Sequence, residues 1–550
     1  SERPFPSTRD GRLVTHWLVR RMPIQCTAED LRPPRLPPRP ACDDESSSEE
    51  DAGSWDAELN EYSSGGWEEA ARPPTPDEST FAAPPPPAAA GPRTHAVQAR
   101  LATAECTVED LGARGEIATG ICFLDHMIDQ LQSHGQLGVA LRCRVGDGPW
   151  ARPNEPLGAA ADEAVHIVGA CGEALGRALR RVALRARTRP PDVDIVRFFC
   201  PLDEAYAECC LCLFPPVRAS VGADVALEPY GTHAAGPRGR EFVGTFRTRH
   251  TPVFWRAVAR GMGASVALAR WRGDNAHHVL ESAFKAFARC FRKGLDRLGA
   301  AAPAAPPGAP RTGARRRVTK ETSIDVEVDL DAAYAAADDA AGAEAAWDGA
   351  AKTPAQLEAT IRALPRVATG VDGLDRLLDA FAAAAAVKVK VHCRGDRHID
   401  DHHSAEDVAI SLGQCLHEAV GDKAGLRRMA FATRRAGACE VRAVLDLSNR
   451  PHVTSDLRFD EEFLGDAAPG PGEVGRALTS EMTAHALESL ALEARCTLHL
   501  ACVADDGLPG HTANLALAAF GAFGAALGEA VEVDPRRRGG VASSKGTLSA

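Results

Sequence analysis

No stretch of this 550-residue sequence stays apolar for long. The longest uninterrupted apolar run, glycine not counted, spans Ala380–Val387 and stops at Lys388, against the roughly 20 residues of a transmembrane helix, so no membrane partner is expected. Basic residues are not in excess: 63 Lys and Arg stand against 75 Asp and Glu, a net charge of −12. The chain therefore lacks the cationic surplus that nucleic acid selects through counterion release, and a small-molecule ligand is expected instead. The sixteen cysteines form no paired C-x-x-C framework, which excludes a disulfide-stapled secreted module and points to reduced thiols in an intracellular reducing compartment, plastid or cytoplasm. Cys209, Cys210 and Cys212 cluster in an apolar, strand-like run and read as buried core thiols rather than a metal site. The first residue is Ser1, which leaves any upstream targeting peptide open.

What is present is ample core material, 45% apolar and 25% charged residues, in a chain long enough for two to four domains. Residues 1–93 combine an acidic Ser/Asp/Glu run, Asp43 to Asp51, with proline clusters, and read as a disordered tail. An Ala/Pro linker over 299–313 separates two blocks, 94–298 and 314–550. The blocks are related. Thr119-Gly120-Ile121-Cys122-Phe123-Leu124-Asp125 with Asp129 returns as Thr369-Gly370-Val371-Asp372-Gly373-Leu374-Asp375 with Asp379, and Gly146-Asp147 returns as Gly395-Asp396. Helical periodicity over Leu280–Lys293 and Ala409–Val420 alternates with strand-like runs at Val387–Cys393, Val441–Leu447 and Cys496–Cys502. This is an α/β (α+β) pattern.

The chemistry concentrates in two H-H-x-x-E motifs, His277-His278-Val279-Leu280-Glu281 and His402-His403-Ser404-Ala405-Glu406. At i and i+4, His402 and Glu406 share one helix face while His403 points elsewhere, so one turn can feed imidazole and carboxylate to two neighbouring ions. Mixed N/O ligation suits Mn²⁺, Fe²⁺ or Zn²⁺. The bland alternative is a pair of solvated helix N-termini with acidic residues favoured by the dipole.

In their flanking context these residues resemble imidazoleglycerol-phosphate dehydratase. In the second block the similar pieces are Arg317-Val318-Thr319-Lys320-Glu321-Thr322, His398 through His403, Leu445-Asp446-Leu447-Ser448-Asn449-Arg450-Pro451 and Ser543-Ser544-Lys545-Gly546. In the first they are Phe123-Leu124-Asp125-His126-Met127, Asp129-Gln130-Leu131, Ser133-His134-Gly135, Pro201-Leu202-Asp203-Glu204-Ala205, and His277-His278 through Phe287. The resemblance implies tandem blocks, each of two βαβ-type half-repeats with four-stranded sheets packed on helices.

The departures from the family pattern are complementary. The first block offers Ala161, Asp162 and Val165 in place of one H-H-x-x-E set, with Val253 at the counterpart of His485; the second carries Arg376, Ala384, Ala513, Asn514 and Leu517 where the other set would stand. Each of the eight ligand positions implied by the resemblance survives once: His126, His277, His278 and Glu281 in the first block, His402, His403, Glu406 and His485 in the second. The substrate-binding positions divide likewise, Gln130, His134 and Lys285 against Arg428, Arg450, Ser543 and Lys545. The resemblance thus implies one composite site holding two Mn²⁺ or other divalent transition metals, built from complementary half-sites in a large homo-oligomer. The activity it implies is dehydration of imidazole glycerol phosphate in histidine biosynthesis, with Glu321 as general acid/base. The competing expectation is a non-catalytic scaffold or regulatory subunit that assembles with an intact homologue. Arg197 and Glu105 are left without a role.

Overall fold

The computed structural model describes residues 94–158, 161–188, 195–216, 221–233, 236–300, 302, 308–334, 367–464, 477–505, 507, 511–537 and 539–548. The expected tail, part of the linker and residues 335–366 of the second block lie outside the described residues.

Four units of one design follow each other along the chain. The first runs β1 (His95–Gln98), β2 (Ala102–Asp110), β3 (Ile117–Ala118), α1 (Cys122–Gly135), β4 (Leu137–Val145), α2 (Ala161–Ala186). The second runs β5 (Val196–Leu202), β6 (Ala205–Cys212), β7 (Gly222–Ala226), a two-residue ribbon β8 (Phe242–Val243) and β9 (Phe246–Arg247), α3 (Thr251–Met262), β10 (Ser265–Arg272), α4 (Ala276–Leu298). The third has β11 (Thr312–Val318), β12 (Ser323–Asp329), α5 (Asp372–Ala385), β13 (Lys388–Arg394) and α6 (His402–Val420). The fourth has β14 (Met429–Ala436), β15 (Cys439–Asp446), β16 (His452–Ser455), α7 (Ser480–Glu493), β17 (Thr497–Ala504) and α8 (His511–Ala530).

In each unit an antiparallel hairpin is extended by a third strand, and in the first, second and fourth a short strand lies parallel to that third strand across a helical crossover: β3 to β4, β7 to β10, β16 to β17. This is the β-α-β half-repeat. The third sheet departs from the four-strand expectation. It has three strands, and a single parallel bridge, Ala368 to His392, stands where the short strand would be, because Thr369 already turns the chain into α5. The sequence repeat has a direct physical meaning here. Asp125 accepts from the backbone and hydroxyl of Thr119 at 2.7 and 2.6 Å, and Asp375 accepts likewise from Thr369 at 2.7 and 2.5 Å. Each clamp folds the turn into its helix, with Gly120 and Gly370 in left-handed conformation at φ 83° and 80°.

Strands alternate as the pleat requires, with Ala102, Ala104, Cys106 and Val108 on the buried face of β2. Above the sheets the helices pair α1 with α4 and α2 with α3 in the first block, then α5 with α8 and α6 with α7 in the second. By length and composition α8 could cross a membrane, unlike any single run in the sequence, but 67% of its apolar window is buried, chiefly against α5 and β14–β15. It is a core helix. All fourteen cysteines among the described residues are free, and Cys209, Cys210 and Cys212 are buried on β6.

The blocks are joined face to face. Phe199 meets Phe431 at 5.0 Å between ring centroids, Tyr206 meets His499 at 5.0 Å, and the Arg442 guanidinium lies 4.2 Å over Phe199. Arg272 donates to the carbonyls of Thr454 and Leu500 at 2.9 and 2.8 Å, and Arg536 pairs with Asp296 at 2.7 Å. Full burial of each large side chain in such a seam contributes about 1.5–3 kcal/mol. Elsewhere, Arg197 pairs with buried Glu208 at 2.7 Å and Glu105 with Arg142 at 2.7 Å, which accounts for both as structural charges.

Buried His499 sits in this seam. Its Nε2 donates to the Asp203 carbonyl at 2.8 Å, while Nδ1 is buried without a partner. Burial, followed by the nearby Arg272 charge, pushes its pKa down to about 3. Because the folded pKa lies below the unfolded one, near 6.5, the unfolded chain binds more protons between the two values. Stability is therefore full above pH 6.5 and falls by about 1.4 kcal/mol per unit below it for this group. The His499→Gln chain should show a correspondingly shallower loss in denaturant midpoints measured from pH 7 to 5; an unchanged slope would contradict the assignment.

Candidate active site

The surviving ligand positions fall on one helix pair in each block. His126 on α1 and His277 and Glu281 on α4 converge, with ligand atoms all within 4.8 Å of one another. His277 Nε2 lies 3.1 Å and His126 Nε2 3.7 Å from Glu281 Oε2, and Lys285 Nζ lies 2.9 Å from Oε1. Burial would raise the Glu281 pKa, but the Lys285 charge and the hydrogen bonds from His126, His277 and Lys285 overcome it and hold the carboxyl far below its usual range. In the second block Glu406 on α6 receives His485, from α7, at 3.1 Å and His402 at 3.6 Å. The two imidazoles stack at 6.0 Å.

The second histidine of each motif turns away and is held by a carboxylate through Nδ1: His278 by Glu204 at 2.7 Å, His403 by Asp396 at 3.0 Å. That bond fixes the tautomer and leaves Nε2 to ligate, the outer-shell arrangement common to metal-binding histidines. The Asp396 hydrogen bond raises the His403 pKa, and the charges of Asp396, Glu321 and Asp400 add to it. The His126–His277–Glu281 cluster fits a divalent transition metal, and the imidazoles beside Glu406 offer the same donor types more widely spaced.

Local sequence explains the placement. Asn275 caps α4 by accepting from the His277 N–H at 2.9 Å, and Asp400 accepts from the His402 N–H at 3.0 Å. Asp401 binds the Thr479 N–H and hydroxyl at 2.7 and 3.0 Å, locking the start of α6 to the start of α7. Glu321 stands exposed in the turn between β11 and β12. That turn is fastened to α6, since Thr322 donates to Asp407 at 2.6 Å and Arg317 pairs with Asp407 at 2.8 Å.

A second cluster crosses the block boundary. His134 is buried with neither ring nitrogen paired, and Gln130 is buried with Oε1 unpaired while its Nε2 donates to the His126 carbonyl. Burial, then the charges of Lys285, Arg289, Arg428 and Arg537, pushes the His134 pKa well down, so the ring is neutral among cations of both blocks. Arg428 is buried, gripped by Asp446 through Nε and Nη2 at 2.7 Å each, and donates from Nη1 to the Ala542 carbonyl. Arg450 is held by Asp203 of the first block at 2.7 Å through Nε. Ser543 Oγ accepts from the Lys545 N–H at 3.1 Å, and the Lys545 ammonium is exposed. Four non-glycine residues in left-handed conformation lie in and around this pocket, Asp203, Lys423, Arg428 and Asn449, a concentration of backbone strain typical of functional sites.

Every sequence-expected residue is thus located, but the two ligand sets remain apart. Among the described residues no hydrogen bond, ion pair or ring contact joins His126, His277, His278 and Glu281 to His402, His403, Glu406 and His485. Sequence reading missed Asp203, Glu204, Asp396, Arg289, Arg537 and Lys423. Arg289 carried a signal, the i, i+4, i+8 series Glu281, Lys285, Arg289 on one face of α4. Lys423 is buried, its Nζ donating to Asn449 Oδ1, and burial lowers its pKa to about 8.

The sequence model of one family, described as imidazoleglycerol-phosphate dehydratase, matches residues 119–291 and 369–527. Similar proteins include the imidazoleglycerol-phosphate dehydratases of Teredinibacter turnerae, 37% identical over 33% of this chain and 84% of that protein, and of Pyricularia oryzae, 39% identical over 33% and 74%. A Triticum aestivum relative, imidazoleglycerol-phosphate dehydratase 3, chloroplastic, is 36% identical over 33% and 62%. Among solved structures, imidazoleglycerol-phosphate dehydratase from Staphylococcus aureus aligns at 20% identity and TM-score 0.28, covering 40% of this chain and 99% of that one.

The cationic pocket should bind inorganic phosphate. Replacing Lys285 by Met keeps the aliphatic stem and removes one charge-assisted hydrogen bond, worth about 1.5–3 kcal/mol. Calorimetric titration of the whole chain with phosphate should show about a tenfold or greater weakening in Lys285→Met, and equal affinity would contradict the pocket.

Proposed function

The chain belongs to the imidazoleglycerol-phosphate dehydratase family, and we propose that it performs the family's reaction at one composite site assembled from the complementary half-sites of its two blocks. It is a hydro-lyase of histidine biosynthesis, removing water from imidazole glycerol phosphate to give imidazole acetol phosphate. The observation that carries the composite reading is that the phosphate-side groups of the two blocks meet within one chain, where Asp203 holds Arg450 and the charges of Lys285 and Arg428 both act on His134.

In this reading His126, His277, His278 and Glu281 hold cations together with His402, His403, Glu406 and His485 of a second chain, because the sets do not touch within one chain. Divalent cations, Mn²⁺ among them, would serve as Lewis acids and template for the substrate imidazole. Lys285 and the outer nitrogens of Arg450 take the substrate phosphate, the guanidinium as a fork and the ammonium as a point charge. Ser543 and Lys545 supply further donors from the C-terminal segment. Glu321, beside His403, removes the proton from the substrate carbon; the C–H electron pair becomes the new C=C bond, and the hydroxyl leaves with a proton as water. A site completed between chains makes the active form a homo-oligomer.

Purified chain with Mn²⁺ should turn over imidazole glycerol phosphate. Glu321→Gln should lower kcat by about 10²–10⁴-fold with metal content unchanged; a chain that binds Mn²⁺ without turnover would instead favour the scaffold reading. Complementation then tests the geometry. His278→Ala and His403→Ala chains should each be inactive, and co-expression should restore up to about a quarter of the activity by random pairing of intact half-sites between chains. Lys285→Ala with Arg450→Ala should restore nothing, since both residues serve one pocket of one chain. Recovery in the second pair, or its absence in the first with co-assembly verified, would reverse the assignment of contacts within and between chains.

A further inference from the structure

A two-residue turn joins β5 to β6, and it touches both ends of the candidate site. Asp203 adopts a left-handed conformation at φ 50°, which Asp tolerates better than most residues. Its carboxylate accepts from Arg450 Nε at 2.7 Å, and its carbonyl accepts from His499 Nε2 at 2.8 Å, so the turn is anchored to the second block twice. Glu204, the next residue, points to the first block. Its Oε2 meets His278 Nδ1 at 2.7 Å, and its Oε1 accepts from the Asn275 N–H, at the cap of α4, at 3.1 Å. One carboxylate therefore holds a phosphate-side cation and its neighbour holds a metal-side ligand, with only a peptide bond between them.

We infer that the Asp203–Glu204 turn is a positioning element that fixes the distance and orientation between the imidazole end and the phosphate end of the site. The inference rests on the dehydratase reading and extends it to two residues that act through Arg450 and His278. Asp203 grips Arg450 by Nε, so the outer edge of the guanidinium is left to face the pocket in one orientation rather than many. Charge is not limiting at this end, because Lys285, Arg289, Arg428 and Arg537 remain. Orientation is what Asp203 adds. At the other end Glu204 fixes both the ring of His278 and the backbone from which His277, His278 and Glu281 descend. A ligand whose imidazole and phosphate are separated by the right number of carbons spans both; a shorter or longer one loses one end.

Two substitutions separate the ends. Asp203→Gly deletes the carboxylate and keeps the left-handed turn, since glycine adopts that conformation without strain. It should weaken inorganic phosphate binding and raise KM about tenfold while Mn²⁺ affinity stays within about twofold. Glu204→Gln preserves the acceptor for Asn275 but presents an amide N–H to His278 Nδ1, which drives the ring proton to Nε2, the nitrogen needed for ligation. It should weaken Mn²⁺ binding about 10–100-fold, read by calorimetry and by Mn²⁺ electron paramagnetic resonance, with phosphate affinity little changed. A turn that only stabilises the hairpin would lower both affinities together or neither, and that result overturns the inference. Failure of the dehydratase reading looks different: the unmodified chain would show no turnover, whatever the two binding titrations give.

Discussion

The packing of sheet β5-β6-β10-β7 on sheet β14-β15-β17-β16 is the constraint on which the site depends. Phe199, Tyr206 and Val444 are almost wholly buried there, with Trp271 and Phe431 against them, so the seam is a small core that neither block completes alone. Because β5 is clamped in that seam, the turn at its end is delivered beside Arg450 in the loop between β15 and β16. The polar bonds around it, from Arg272, Arg289 and Arg536, set register rather than strength: each joins a guanidinium to a carbonyl or carboxylate of the opposite block.

The pocket beside the seam carries opposing demands. Several cations converge on one neutral imidazole, which is unfavourable in a low-dielectric interior unless anions balance them. Two carboxylates relieve the crowding, Asp446 on Arg428 and Asp203 on Arg450. Arg428 is fully engaged, three of its nitrogens donating within the protein, so it contributes field and shape, whereas Arg450 is gripped through Nε by Asp203. The C-terminal segment completes the arrangement: the Ala542 carbonyl receives Arg428, and the Leu548 carbonyl receives Asn449 Nδ2 at 2.7 Å.

Local features were legible in the sequence. The strands over 387–393, 441–447 and 496–502 and the helices through 280–293 and 409–420 were plain from periodicity, and the Thr-Gly repeat marked a turn whose Thr-Asp clamp is built from residues six apart. The H-H-x-x-E motifs located both ligand helices for the same reason. What periodicity does not carry is partnership between helices, so the sorting of ligands onto the α1/α4 and α6/α7 pairs needed tertiary structure. Asp203 and Glu204 lay in a quoted motif without a role, because Arg450 is 247 residues away and His278 is 74. The third sheet lost its fourth strand to a single bridge that no propensity distinguishes from a loop. Helix α8, apolar nearly all round, offers no amphipathic period at all, and only its burial identifies it as core.

The positions where the H-H-x-x-E pattern is absent show what the fold asks for when only packing is at stake. Val253 on α3 is buried in the first core, Val165 on α2 packs against it, and Leu517 on α8 packs against the second. An imidazole or carboxylate at any of them would lie partly desolvated and unpaired, at a cost of about 1–3 kcal/mol for a polar group without a partner. The same pressure acts on the retained positions, and there it has been resisted. His134 keeps two buried ring nitrogens without partners, Gln130 keeps an unpaired Oε1, and Glu281 keeps a buried charge balanced by Lys285. A fold that needed only packing at these positions would hold apolar residues there, as it does at 165, 253 and 517. Polar groups therefore hold these positions on the α1/α4 pair, and His402, Glu406 and His485 hold the α6/α7 pair, although neither core needs them for packing.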